Sequence, residues 1–233
     1  MTVSEIAISM YAGAPEGAIF LREGEALYAA PGKMQAAKNV SMATEYTAGI
    51  FESMKRLFMG GPDYFNNKFE ANRGGGWVLL QESIPGQMGS MEIKAGHGMK
   101  IRTDRWAAST SNVTLETIYE GTSGIIRGTG VAMLQASVKA NSQRGKIFFY
   151  ADEGVVKQIA VSSIGGPVMV DNDSIIGYSD GLTCSFRTSG NGLQSLMFGK
   201  EGIVCDFYGE GVVYIASTPQ DTRVNQCSET KKP

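Results

Sequence analysis

A single histidine, His97, and only three cysteines, Cys184, Cys205 and Cys227, occur in 233 residues, and no two cysteines form a CxxC pair. One imidazole cannot assemble the multi-histidine metal centre that β-barrel enzymes use. Three dispersed cysteines suggest neither a disulfide framework nor a zinc knuckle, and fit a reducing compartment. Charge is scarce too, at 19% of residues, and nearly balanced, with 21 Lys+Arg against 23 Asp+Glu. Apart from Lys231-Lys232 there is no basic run to track a phosphate backbone, so no nucleic acid partner is expected. Long apolar stretches are missing as well. The longest, among them Ile147 to Ala151 and Val212 to Ala216, have only five residues each, against the roughly 18 to 20 that a membrane-spanning helix requires. No transmembrane segment is expected. The opening Met1-Thr-Val-Ser-Glu-Ile-Ala-Ile-Ser-Met-Tyr has an acid and no base before Arg22, unlike a signal peptide or an Arg-rich presequence. The expected location is cytoplasmic, or mitochondrial only for a chain whose presequence has been removed.

Glycine is abundant, 30 residues spread among short apolar runs, and at 42% hydrophobic the chain has the makings of a folded core. Glycine, Asp or Asn bounds nearly every β-branched or aromatic run, which is the texture of short strands joined by tight turns. Strands are predicted at Ala18 to Leu21, Trp77 to Gln81, Met99 to Arg102, Lys146 to Tyr150, Val155 to Val161, Val168 to Val170, Ile203 to Phe207 and Val212 to Ala216. One helical pattern stands out, Ala48 to Met59, with Ile50, Met54, Leu57 and Phe58 on one face and Gly60-Gly61 to stop it. The expected class is all-β, with at most one or two short helices.

The chain aligns with itself. With Gly24, Gly96 and Gly165 in one column, Leu27, Met99 and Val168 follow three residues on, and Ala29, Ile101 and Val170 five on. Met34, Trp106 and Ile175 come ten on, and Gly32, Asp104 and Asp173 hold the eighth position. Later, Leu57 to Gly60, Ile125 to Gly128 and Leu196 to Gly199 each bring an apolar run to a turn glycine. Gly76, Gly145 and Gly211 then each launch a strand. A period of about 70 residues is too long for a solenoid rung and suits a small sheet module. Three modules are expected, 18–89, 90–155 and 156–217, followed by a polar tail, 218–233. They should superpose as β-meanders about a pseudo-threefold axis, with Met34, Trp106 and Ile175 as equivalent buried anchors.

These residues resemble the mitochondrial biogenesis family named for altered inheritance of mitochondria. The resemblance rests on Met54 to Gly61, Phe65 to Ala71 running into Gly74-Gly75-Gly76-Trp77-Val78-Leu79-Leu80, Met169 to Tyr178, and Glu201 to Ile215. It spans about residues 15 to 217. It implies the fold of the trp RNA-binding attenuation protein (TRAP-like), three β-modules within one chain, a tendency to self-associate and no established enzymatic activity. In eukaryotes it implies a link to mitochondrial inner-membrane organisation. This chain departs at Gly61-Pro62-Asp63-Tyr64-Phe65 and at Asn141-Ser142-Gln143-Arg144-Gly145, both turn positions.

Candidate chemistry is thin. His97 lies between Gly96 and Gly98, where an exposed turn is expected, and no Gly-x-Ser-x-Gly elbow accompanies it. Asp171-Asn172-Asp173 opens like a calcium loop but has Ile176 at the sixth position, so a turn satisfied by its own Asx side chains is expected. Gly74-Gly75-Gly76 lacks a following Lys-Ser/Thr and reads as a hairpin turn into the Trp77 strand. Cys205 reads as a small buried hydrophobe and Trp106 as core. The 12 methionines and the Ile50–Phe58 face could form an adaptable contact surface, or that helix could cap the first module. No catalytic, cofactor-binding or metal residue is assigned, and no cofactor is expected. The leading expectation is a non-enzymatic structural or interaction protein that forms a homo-oligomer, with a peripheral membrane or protein partner open. A small-ligand-binding or sensing protein is the alternative, and an enzyme ranks third.

Overall fold

The computed structural model describes residues 14–30, 32–45, 66–81, 86–120, 131–152, 156–188 and 203–216. The segment expected to be helical, Ala48 to Met59, and the tail 218–233 lie outside the described residues. Among the described residues every regular element is a strand, apart from a single 3-10 turn at Asn172–Ser174. The all-β expectation holds.

Among the described residues eighteen strands follow one another. The first six are β1 (Ile19–Leu21), β2 (Ala26–Ala29), β3 (Met34–Lys38), β4 (Val40–Glu45), β5 (Asn66–Ala71) and β6 (Gly76–Leu80). Then come β7 (Gly86–Lys94), β8 (Met99–Arg102), β9 (Trp106–Thr110), β10 (Val113–Glu120), β11 (Val131–Val138) and β12 (Arg144–Asp152). The last are β13 (Val156–Val161), β14 (Val168–Asp171), β15 (Ile175–Ser179), β16 (Leu182–Thr188), β17 (Ile203–Gly209) and β18 (Gly211–Ala216). Each predicted strand matches one of these within two residues. β7 runs across position 89/90, where a module boundary was expected.

The pairing within each set of six is the same. The sixth strand lies between the first and third, as in β1-β6-β3, and the fifth between the fourth and second, as in β4-β5-β2. Each set therefore contributes to two layers, and only the fourth and fifth strands pair consecutively. This corrects the meander expectation, and it corrects the hairpin reading of Gly74-Gly75-Gly76. That turn, with Gly74 and Gly75 at φ +89° and +81°, carries the chain from β5 in one sheet to β6 in another.

Sets join edge to edge. β2 pairs with β9 through Leu27–Thr110, Tyr28–Ser109 and Ala29–Ala108, and β8 pairs with β15 through Met99–Ser179, Lys100–Tyr178 and Ile101–Gly177. The result is two six-stranded sheets, β4-β5-β2-β9-β12-β7 and β10-β11-β8-β15-β18-β13, and two three-stranded ones, β1-β6-β3 and β14-β17-β16. Facing layers enclose three apolar clusters in series. One holds Leu27, Phe69 and Val78, the next Ile101, Ile147 and Ile176, and the last Tyr178, Cys205 and Phe207. Burying such side chains supplies about 25 cal/mol per Å² of apolar surface removed from water.

Met34, Trp106 and Ile175 occupy one structural position. Each begins a β-bulge against the sixth strand of its set, where the register skips Gln35, Ala107 and Ile176. Their burial differs, which corrects the expectation of three equal anchors. Ile175 is buried at 3% exposure, Trp106 is half-buried, and Met34 is 40% exposed.

Two glycine columns recur for different reasons. Gly24, Gly96 and Gly165 all have positive φ, with open space where a Cβ would stand. Gly76, Gly145 and Gly211 stand against a neighbouring turn. A Cβ on Gly76 would lie 2.6 Å from the Asn39 carbonyl oxygen, and one on Gly211 2.8 Å from Ser179 Cβ. Gly76→Ala is expected to lose about 1–3 kcal/mol or more, because backbone oxygens cannot yield, whereas Gly24→Ala is expected to lose only about 1–2 kcal/mol of left-handed conformational penalty. Urea unfolding of the two variants measures the difference.

Candidate functional site

The residues singled out from the sequence do not converge. His97 is exposed in the β7–β8 turn, where its N–H donates to Lys94 O at 3.0 Å. Asp171 to Asp173 run from β14 into the 3-10 turn, and the Asp171 carboxylate accepts the Ser174 hydroxyl at 3.2 Å. Glycines 74 and 75 are fastened from outside. Gly74 N–H donates to Glu23 Oε2 at 3.0 Å, and Asn39 Nδ2 donates to Gly75 O at 2.6 Å and Arg73 O at 3.0 Å. Among the described residues, no group of three or more His, Cys, Asp or Glu is placed to hold a metal ion.

Cys205 is fully buried, as expected for a small apolar side chain. Its sulfur, however, is joined to that of Cys184 on the adjacent strand, with the Cα atoms 5.8 Å apart. The expectation of unpaired cysteines is corrected. The linear spacing hid the pair, because β16 and β17 bring Cys184 opposite Phe207 and Cys205 opposite Phe186, which makes the cysteines diagonal neighbours on one face.

Where sets meet, charged side chains fasten turns. Arg102 at the end of β8 grips Asp104 with Nε–Oδ1 at 3.0 Å and Nη2–Oδ2 at 2.8 Å, and its Nη1 donates to Asn172 O at 2.8 Å. Arg105 Nη2 reaches Asp173 O at 3.4 Å. Burial pushes the Asp104 carboxyl up, but the hydrogen bond and charge of Arg102, with the charge of Arg105, outweigh it and hold its pKa below the usual 3.8. A depressed carboxyl stabilises the fold above its unfolded value and loses that contribution as pH falls through its folded value. At the far end, Glu210 Oε1 accepts the Ser163 N–H at 2.9 Å and its hydroxyl at 2.6 Å, closing the loop before β14. The Ser163 hydroxyl and N–H keep the Glu210 carboxyl below its usual range.

A groove of about 1080 Å³ runs between β1 and the β7–β12 face of the next set. Phe20, Met88 and Phe148 supply its apolar wall, and Arg144, Glu92 and Asn112 its polar end. The polar groups serve one another. Arg144 Nη1 lies 3.4 Å from Glu92 Oε1, Thr110 Oγ1 donates to Asn112 Oδ1 at 2.6 Å, and Asn112 Nδ2 donates to Arg144 O. This set can orient a ligand's polar end, but it pairs no nucleophile with a base. The sequence signalled neither the groove nor the disulfide.

A family model described as mitochondrial biogenesis AIM24 matches residues 18–218, and the chain belongs to that family. Among solved structures, an X-ray structure of a Streptococcus pyogenes protein resembles it with a TM-score of 0.63 and 22% identity, over 86% of this chain and 87% of that one. At that identity the likeness shows the fold alone. The chain matches no curated protein. No helix among the described residues is long and apolar enough to cross a membrane.

Two outcomes are expected. Thiol titration of denatured, unreduced protein should find one reactive thiol, Cys227, and finding three would remove the Cys184–Cys205 bond. In pH-dependent unfolding, wild type should exceed Asp104→Asn in stability at neutral pH, and the gap should close as pH falls below about 3.8. A gap constant with pH would show that the Asp104 charge contributes nothing.

Proposed function

We propose that this chain is a non-enzymatic structural or interaction protein that self-associates. The observation that carries the reading is a pair of unfinished sheets. The edge junction made by β2–β9 and by β8–β15 has a third set of ends, β3 and β14, that no strand covers among the described residues. Uncovered N–H and C=O groups template association. The groups at the recurring positions act on the fold itself: glycines relieve turns, Arg102 and Asn39 fasten them, and the bulge positions shape the sheets.

The expected pseudo-threefold axis would pair β14 with β3 of the same chain, and both stand uncovered among the described residues; an open series of three TRAP-like modules, with divisions near 89 and 155, belongs to this proposal instead, and the shared pairing scheme supports it. So does a part in mitochondrial biogenesis, which the family's description supports. The proposed location is cytoplasmic, or mitochondrial for a chain that has lost a presequence, and the thiol count bears on it because a lasting disulfide is rare in a reducing compartment. The groove beside β1 favours a second reading, a small-ligand-binding or sensing protein, since pockets of this size with an apolar wall and a few polar groups hold small molecules.

Sedimentation at micromolar concentration should give a species heavier than 24.9 kDa. A folded monomer at all accessible concentrations would overturn self-association. A small molecule retained stoichiometrically in native mass spectrometry would move the second reading ahead.

A further inference from the structure

The two junctions inside the chain prescribe what the uncovered edges should accept. Leu27, Met99 and Val168 are equivalent by offset from their turn glycines, and Thr110, Ser179 and Lys38 by offset from the bulge positions Trp106, Ile175 and Met34. Leu27 faces Thr110 and Met99 faces Ser179. The third junction would therefore be antiparallel, with Val168 facing Lys38, Met169 facing Ala37 and Val170 facing Ala36.

The hydrogen-bond parity follows as well. Ala30 N–H donates to Ala107 O at 3.2 Å and Ser111 N–H to Ala26 O at 2.9 Å, and Asp180 N–H donates to Gly98 O at 3.1 Å. Because hydrogen-bonded pairs alternate along an antiparallel ladder, Tyr28–Ser109 and Lys100–Tyr178 are of the bonded class. Their counterpart Met169–Ala37 exchanges N–H···O bonds, and Val168–Lys38 is a non-bonded pair with close Cα atoms.

We propose that β14 of one copy pairs with β3 of a second copy in this register, and reciprocally, so that two chains complete two further six-stranded sheets. The proposal rests on the self-association reading and names its surface. Both edges lie unpaired in the single chain among the described residues. Each also carries an exposed methionine, Met34 at 40% and Met169 at 60%. Charge matches at one end, because Lys33 precedes β3 while Asp171 closes β14, and the antiparallel register brings Asp171 to the Lys33 end. A twofold exchange uses both edges and stops growth.

The test uses full-length chains with Cys227→Ser to remove the remaining thiol. Lys38→Cys and Val168→Cys are placed on separate chains, mixed and mildly oxidised. A covalent heterodimer is expected, since the paired Cα atoms fall within disulfide reach. Sedimentation of the same unoxidised chains separates the possible failures. An oligomer without cross-link would overturn this interface and leave self-association standing, whereas a monomer would overturn both. If a chain carrying both cysteines instead links within itself, β14 closes on its own β3 and the two-copy junction is overturned. Unmodified protein gives an independent reading. The Ala37 and Met169 amides should exchange more slowly as concentration rises, and exchange that ignores concentration would count against the proposal even if a cysteine variant misfolds.

Discussion

Three backbone residue pairs, repeated at two places, hold the molecule together as a unit. β2–β9 and β8–β15 each convert two half-sheets into one. Without them every set of six strands would present a half-sheet edge to solvent. With them, each shared sheet covers one apolar cluster with one half and the next cluster with the other. Stability is therefore distributed over three small cores in series, each dependent on a sheet it shares with its neighbour.

That constraint explains the residues at the junctions. β9 carries Ala107, Ala108 and Ser109, all nearly inaccessible, between β2 and β12. At the matching place in β15 a Cβ on Gly177 would press on Ile101 Cα at 3.1 Å. Strands in the middle of a shared sheet are crowded by ladders on both sides, and small side chains let facing layers approach. Arg102 adds a polar fastening at the second junction, reaching from the end of β8 to the carbonyl of Asn172. The uncovered end of the first set shows the converse, for Met34 stands exposed at the bulge where Ile175 is buried.

The sequence made some of this legible. Val168 to Val170 and Val212 to Ala216 read as strands because β-branched residues lie between turn residues. The columns of Gly24 and Gly76 marked true structural equivalents because a left-handed turn and a tight contact each exclude most side chains locally. β3 (MQAAK), β5 (NNKFEA) and β9 (WAAST) gave little strand signal. Their conformation is imposed by neighbours far away in sequence, and weak intrinsic preference yields to such pairing. The same distance hid the partnership of β1 with β6, which made a meander look natural, and the meeting of Cys184 with Cys205. The groove and the open edges arise only from how sets are joined, so no local pattern encodes them.

In every set the first strand is bonded to the last, β1 to β6, β7 to β12 and β13 to β18. A chain emerging from the ribosome holds the opening strand of a set without its partner until the closing strand appears. Each such closure carries the entropy cost of a long loop, and non-local pairings of this kind slow folding. Structure must then accrue in instalments of one set at a time. The shared sheet between two sets forms only after the later set has begun, so the earlier set is the template on which its successor is laid.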